Sequence, residues 1–169
     1  MLIEPRFDAP NRHEMQRRLD RVRALMAEEG LTHYVCACPD NVFYLTNFAN
    51  YVHERPFILV VSLDDPLQFL VPKLEIPHVK TRSVGDIDLI EYFEFPAPVG
   101  ETWDAKFRTA FSENARVGVE SICPLQVYEA VPGEHVRADI VDDARIIKSD
   151  YEIARIVYAS NVATDPGFR

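Results

Sequence analysis

The sequence predicts an α/β domain of three layers, with a mixed sheet of about six strands flanked by helices on both faces. Amphipathic helical stretches alternate with short β-branched and aromatic runs from Arg12 to Val141. One helix and the strand after it are joined by a single glycine, Gly30, a compact α/β joint. The strand-like runs also lack strict polar alternation, as strands covered on both faces do. A chain of 169 residues has room for one domain, or one domain and a fragment. With 47% hydrophobic and 27% charged residues, it has the composition of a packed protein rather than a disordered one.

Residues 1–11 read as an extended arm. From Arg12 to Glu29, Met15, Leu19, Val22 and Met26 recur at helical spacing, with Asn11 as N-cap and Gly30 as stop. Leu31 to Cys38 is a strand, and a short helix follows over Asn41 to Thr46. Phe57–Ser62 and Leu67–Val71 form a hairpin about Asp64-Asp65-Pro66. Leu74 to Lys80 is a short helix, interrupted near Pro77 or beginning after it, and Asp88 to Phe93 a strand. Trp103, Phe107 and Phe111 put an aromatic, core-facing stripe on a helix from Thr102 to Asn114. Arg116–Glu120 is a short buried strand, Leu125–Val131 a helix begun by Pro124, and Val136–Val141 a last strand. Asp142 to Ile147 then makes one or two helical turns. Ser149 and Glu152 have the spacing of a capping box, and Ile153, Ile156, Val157 and Ala163 lie along one face of the helix behind it.

The net charge of −9 and the absence of a dense Lys/Arg cluster argue against a nucleic-acid surface. Arg17, Arg18, Arg21 and Arg23 read as a solvated helix face. No apolar run is long enough to cross a membrane, and the N-terminus has no apolar signal region. Three cysteines cannot all pair within one chain, so reduced thiols and a cytoplasmic location are expected.

The glycines form no G-x-G-x-x-G and no phosphate loop, and neither G-x-S-x-G nor H-E-x-x-H occurs. Cys36 and Cys38 share one strand face and read as small core side chains rather than half of a zinc site. Asp64-Asp65 reads as a turn and Asp142-Asp143 as a helix start. What remains is an aromatic short helix, Asn41 to Phe48, running into a polar loop with His53 and Arg55. Such a loop beyond a strand is where α/β sheets place ligand contacts.

The segment Leu19 to Met26, then Gly30-Leu31, then Asn41-Val42-x-Tyr44-Leu45-Thr46-Asn47-Phe48 resembles the N-terminal domain of the creatinase/aminopeptidase P/prolidase family. Ala144-Arg145-Ile146-Ile147-Lys148-Ser149-x-x-Glu152-Ile153 is similar to that family's junction into its catalytic domain. Each motif is moderately specific. In this order, roughly a hundred residues apart, they are stronger together, and the resemblance runs from Arg12 to Thr164.

The resemblance implies an arm (1–11), an N-terminal α/β domain (12–147), and the first helix of a larger "pita-bread" catalytic domain (148–169), truncated here. In that following domain two divalent metals, manganese expected, sit on two aspartates, a histidine and two glutamates. They activate the water that cleaves the bond before proline. No metal ligand carries over onto this chain, which is expected to be non-catalytic and to hold no cofactor itself. Phe43 and Tyr44 are candidates for a wall on the substrate side. His53 and Arg55 are candidates on a loop reaching a site in its own or a neighbouring subunit, Arg55 through its planar fork to a substrate carboxylate.

The partners implied are the missing C-terminal domain, a second copy in a homo-dimer, and short proline-containing peptides bound by the whole protein. A protein-binding module without catalytic ligands, and the N-terminal domain of a creatinase-like C–N hydrolase, are the alternatives. The last helix, Asp150 to Thr164, is expected to fray or to pack on a neighbouring molecule.

Overall fold

A computed structural model of the protein describes residues 4–50, 54–165 and 167. The first helix, α1 (Arg12–Glu28), starts where Asn11 Oδ1 accepts from the Glu14 amide at 2.9 Å. Gly30, at φ +66°, turns the chain out of it into the first strand. Met15, Leu19, Val22 and Met26 are buried, as their spacing requires. Then follow β1 (His33–Cys36), α2 (Pro39–Thr46), β2 (Ile58–Ser62), β3 (Leu67–Pro72), α3 (Ile76–Arg82) and β4 (Ile87–Tyr92). The chain continues through α4 (Trp103–Arg108), β5 (Val117–Val119), α5 (Leu125–Ala130), β6 (His135–Arg137), α6 (Ile140–Ile146) and α7 (Asp150–Thr164).

The strands form one mixed sheet in the order β4-β3-β2-β1-β5-β6. β2 is antiparallel to both of its neighbours, and every other pairing is parallel. Five strands therefore point one way and only β2 opposes them. Side-chain alternation divides the core into two layers. Tyr34, Cys36, Leu59, Val61, Phe69 and Val71 face α1, α2, α3 and α6. Val35, Ile58, Val60, Leu70, Val117 and Val119 face α4 and α5. The three-layer α/β fold with a mixed six-stranded sheet is thus observed. Gly118 lets the first layer close on β5: a Cβ there would lie 2.6 Å from Leu31 Cδ1.

Several element ends differ from expectation, for tertiary reasons. β1 stops at Cys36, so Cys38 is not on its face; it is the N-cap of α2, held by a carboxylate from β5's far end. The aromatic helix ends at Arg108, because Thr109 turns its hydroxyl back onto the Lys106 carbonyl. Phe111 lies beyond that helix yet still packs edge-on against Phe107, their centroids 5.1 Å apart. The last strand ends at Arg137. Asp139 is pinned to Ser121 through the backbone amide and the hydroxyl, and Ile140 and Val141 enter the core from α6 instead. α3 begins at Ile76, before Pro77, which sits in its first turn where a proline is tolerated.

Candidate functional site

Because five strands run the same way, their carboxyl ends share one edge of the sheet. β1 delivers the chain there into α2 through Ala37 and the N-cap Cys38, whose amides need acceptors. Glu120, just past β5, supplies one: its Oε1 accepts from both. Asn41 on α2 donates through Nδ2 to Glu120 Oε2 and to Asp142 Oδ2, each at 3.2 Å, and accepts from Arg145 at 2.5 Å. This network ties α2 to α6. Burial raises the pKa of Glu120, and the hydrogen bonds from Ala37, Asn41 and Cys38 offset only part of that. Burial, followed by the field of Glu120, also pushes up the Cys36 thiol, which is an inert core group.

α2 so fixed presents Phe43 and Tyr44 to a groove of about 630 Å³ against α6 and α7, with Arg145, Ile146, Tyr151 and Ile156 on the opposite side. Phe43 is exposed. The Tyr44 ring is buried beneath the Arg18 guanidinium, 4.6 Å from the ring centroid. Its hydroxyl has no hydrogen-bond partner among the described residues. Burial, then the Glu152 carboxylate, raises its pKa and keeps the phenol protonated.

Behind Tyr44, the start of α7 is knitted to α1. Ser149 and Glu152 form the expected capping box. Ser149 Oγ also donates to Glu14 Oε1 at 2.9 Å, and Arg17 reaches Glu152 at 3.1 Å. Arg18, expected on a solvated face, is instead buried: it donates to Glu14 at 2.9 Å and to the Tyr44 carbonyl at 2.9 Å. The arm crosses α7, where Tyr151 donates to the Asp8 carbonyl at 2.7 Å and Phe7 stacks near Tyr158.

The four candidate residues are not brought to one place. Phe43 and Tyr44 line the α2 groove, while Arg55 lies at the carboxyl edge of the sheet, its Nε 2.6 Å from Glu94 Oε1 and its Nη1 3.9 Å from Glu75. Any substrate carboxylate at Arg55 competes with Glu94. His53 lies outside the described residues. Glu120, Arg18 and Arg145 escaped the sequence reading. Arg18 carried a signal in standing three residues after Met15 and four before Val22, on the apolar stripe, and Arg145 one in lying within the junction motif.

Among the described residues, no group of three or more His, Cys, Asp or Glu side chains is placed to hold a metal ion. Nor is any described helix long and apolar enough to cross a membrane.

The family described as "Creatinase/Prolidase N-terminal domain" matches residues 18–153. An uncharacterized peptidase of Staphylococcus epidermidis is 25% identical over 149 residues, covering 86% of this chain and 41% of that protein. The chain thus spans about two-fifths of the curated relatives it matches. The prolidase of Pyrococcus horikoshii superposes with a TM-score of 0.67 at 21% identity, over 87% of this chain and 40% of that one. A Streptococcus thermophilus structure titled as an aminopeptidase P, Xaa-Pro aminopeptidase, superposes with a TM-score of 0.58 at 20% identity, over 78% of this chain and 98% of that one. At these identities the structures speak for the fold.

Proposed function

The chain belongs to the creatinase/prolidase N-terminal domain family, and on that premise we propose that it is the non-catalytic N-terminal domain of a cytoplasmic, metal-dependent Xaa-Pro peptidase of aminopeptidase P or prolidase type. Its residues 12–147 form the domain proper, and Ser149 begins the first helix of the catalytic domain. The observation that carries this reading is the groove between α2 and α7. It is walled by Phe43 and Tyr44, it has the volume of a short-peptide site, and it lies at the helix that leads onward. Ile146, Ile147 and Ile156 stand exposed beside it, an apolar face suited to the domain that follows.

The described residues do not fit a metal centre, so no step of peptide hydrolysis is assigned to this chain. Two divalent metals, manganese by family expectation, would be held by the following domain. Within the whole protein this domain supplies cleft walls and the contacts of a homo-dimer, and Arg55 offers a cation to short proline-containing peptides.

The test is hydrolysis of Xaa-Pro dipeptides by the whole protein in Mn²⁺, before and after chelation. Metal-dependent cleavage supports the reading; a whole protein that binds peptides but cleaves none, with any divalent metal, would make it a binding module. In the active protein, Arg55→Ala should raise KM for short peptides, and an unchanged KM removes Arg55 from the site.

A further inference from the structure

The arm before α1 takes no part in the sheet, yet it is bound at several points to α7, at the other end of the sequence. The Arg6 amide donates to the Ala154 carbonyl at 3.2 Å. The Asp8 carbonyl accepts from the Tyr151 hydroxyl at 2.7 Å and from Arg155 Nη1 at 3.4 Å. The Phe7 and Tyr158 rings lie 5.7 Å apart between centroids. Tyr151, Ala154, Arg155 and Tyr158 stand at i, i+3, i+4 and i+7, so the arm keeps to one face of the helix. Ala154, which carries one of these bonds, is the buried residue of α7.

These contacts give α7 a second hold. Its first turn is fixed to α1 by the bonds from Ser149 to Glu14 and from Arg17 to Glu152. From Ser149 to Tyr158 the helix rises about 13 Å. A helix held only at its first turn, with one residue buried, has little to keep it from swinging or opening locally. The root of the arm is firm, because Pro10 is buried and Asn11 caps α1. The arm therefore ties a second stretch of α7 to the same end of α1. Ala9 and Pro10 also line the α2 groove, beside Tyr151, Arg155 and Ile156. One segment thus holds the helix and forms part of the groove wall.

We propose that the arm is a strap: residues 6–8 set the direction in which α7 leaves the domain, and with it the wall that α7 presents to the groove. Neither a metal nor a peptide enters this role, so it stands or falls apart from the peptidase reading.

The test is NMR of the 169-residue chain and of a chain lacking residues 2–8, which keeps Asn11 and its cap. In the parent, the N–H residual dipolar couplings of α1 and α7 should fit one alignment tensor. In the shortened chain those of α7 should be scaled down while those of α1 are unchanged. The amides from Ile156 to Ala159 should exchange with solvent about tenfold faster, the worth of one to two hydrogen bonds. Exchange in α1 and β2 should not change. Arg6→Pro removes the donor to Ala154 and should speed exchange of the same α7 amides about threefold. Unchanged couplings and exchange in α7, or an equal acceleration in α1, β2 and α7, would overturn the proposal. Should the shortened chain not fold, Arg6→Pro decides the question, and unchanged exchange in its α7 overturns the strap.

Discussion

Ser149 Oγ donates a 2.9 Å hydrogen bond to Glu14 Oε1 across 135 positions of sequence. One hydroxyl thus caps the last helix and anchors it to the first, because the same Oγ accepts from the Glu152 amide. Glu14 in turn neutralises the buried Arg18, which holds the Tyr44 carbonyl. The end of the domain and the wall of its groove share one charge cluster.

That cluster gives the domain an acid-sensitive joint. Burial works to raise the Glu14 pKa from 4.5, but hydrogen bonds from Arg17, Ser149 and Arg18 outweigh it, and the net shift is downward. A carboxyl depressed in the folded state contributes stability above its unfolded value and loses it as pH falls through the folded value. Glu14→Gln should cost about 2–3 kcal/mol at pH 7, since it leaves the buried Arg18 with only the more distant Glu152 carboxylate, 3.9 Å away, as counter-charge. The cost should shrink as pH falls below 4.5. Urea unfolding of both proteins from pH 7 to pH 3 checks this, and a pH-independent difference would remove the charge argument.

Glu120 should behave with the opposite sign. Its folded pKa is raised above 4.5, so ionisation costs the folded state more than the unfolded one. The penalty is absent below 4.5 and grows as pH rises through the folded value. Glu120→Gln should therefore gain stability relative to the parent across that rise. Parallel pH–stability curves would show that the amides of Ala37 and Cys38 fully compensate the charge.

Tyr44 separates packing from hydrogen bonding. Its hydroxyl is buried without a partner among the described residues, so Tyr44→Phe should leave the Tm unchanged or raise it. Tyr44→Ala empties the space under Arg18 and should cost about 3–5 kcal/mol. Calorimetry of the two variants checks both, and a marked loss in Tyr44→Phe would reveal a partner for the hydroxyl.

The layers and the sheet were legible because burial on two faces writes apolar runs and helical stripes directly into sequence. Met15, Leu19, Val22 and Met26 needed no tertiary information beyond their spacing, whereas the stripe of Trp103, Phe107 and Phe111 overran its helix, which ends at Arg108. The ends of elements were not legible, since long-range hydrogen bonds decide them: Glu120 on Cys38 closes β1, and Asp139 on Ser121 closes β6. The motif pointed to Phe43 and Tyr44. It gave no hint that Asn41 is the bridge between Glu120 and Arg145, because partners 79 and 104 positions away leave no local pattern.

The central claim, that this domain walls a peptide site whose chemistry lies in the following domain, is tested most directly by Phe43→Ala in the whole protein. Phe43 is exposed in the groove and carries little of the fold, so the substitution leaves stability nearly intact. Steady-state kinetics on an Xaa-Pro dipeptide in Mn²⁺ should show KM raised about fivefold with kcat little changed, the loss of roughly 1 kcal/mol of uniform binding. Unchanged KM and kcat in a stably folded variant would contradict it.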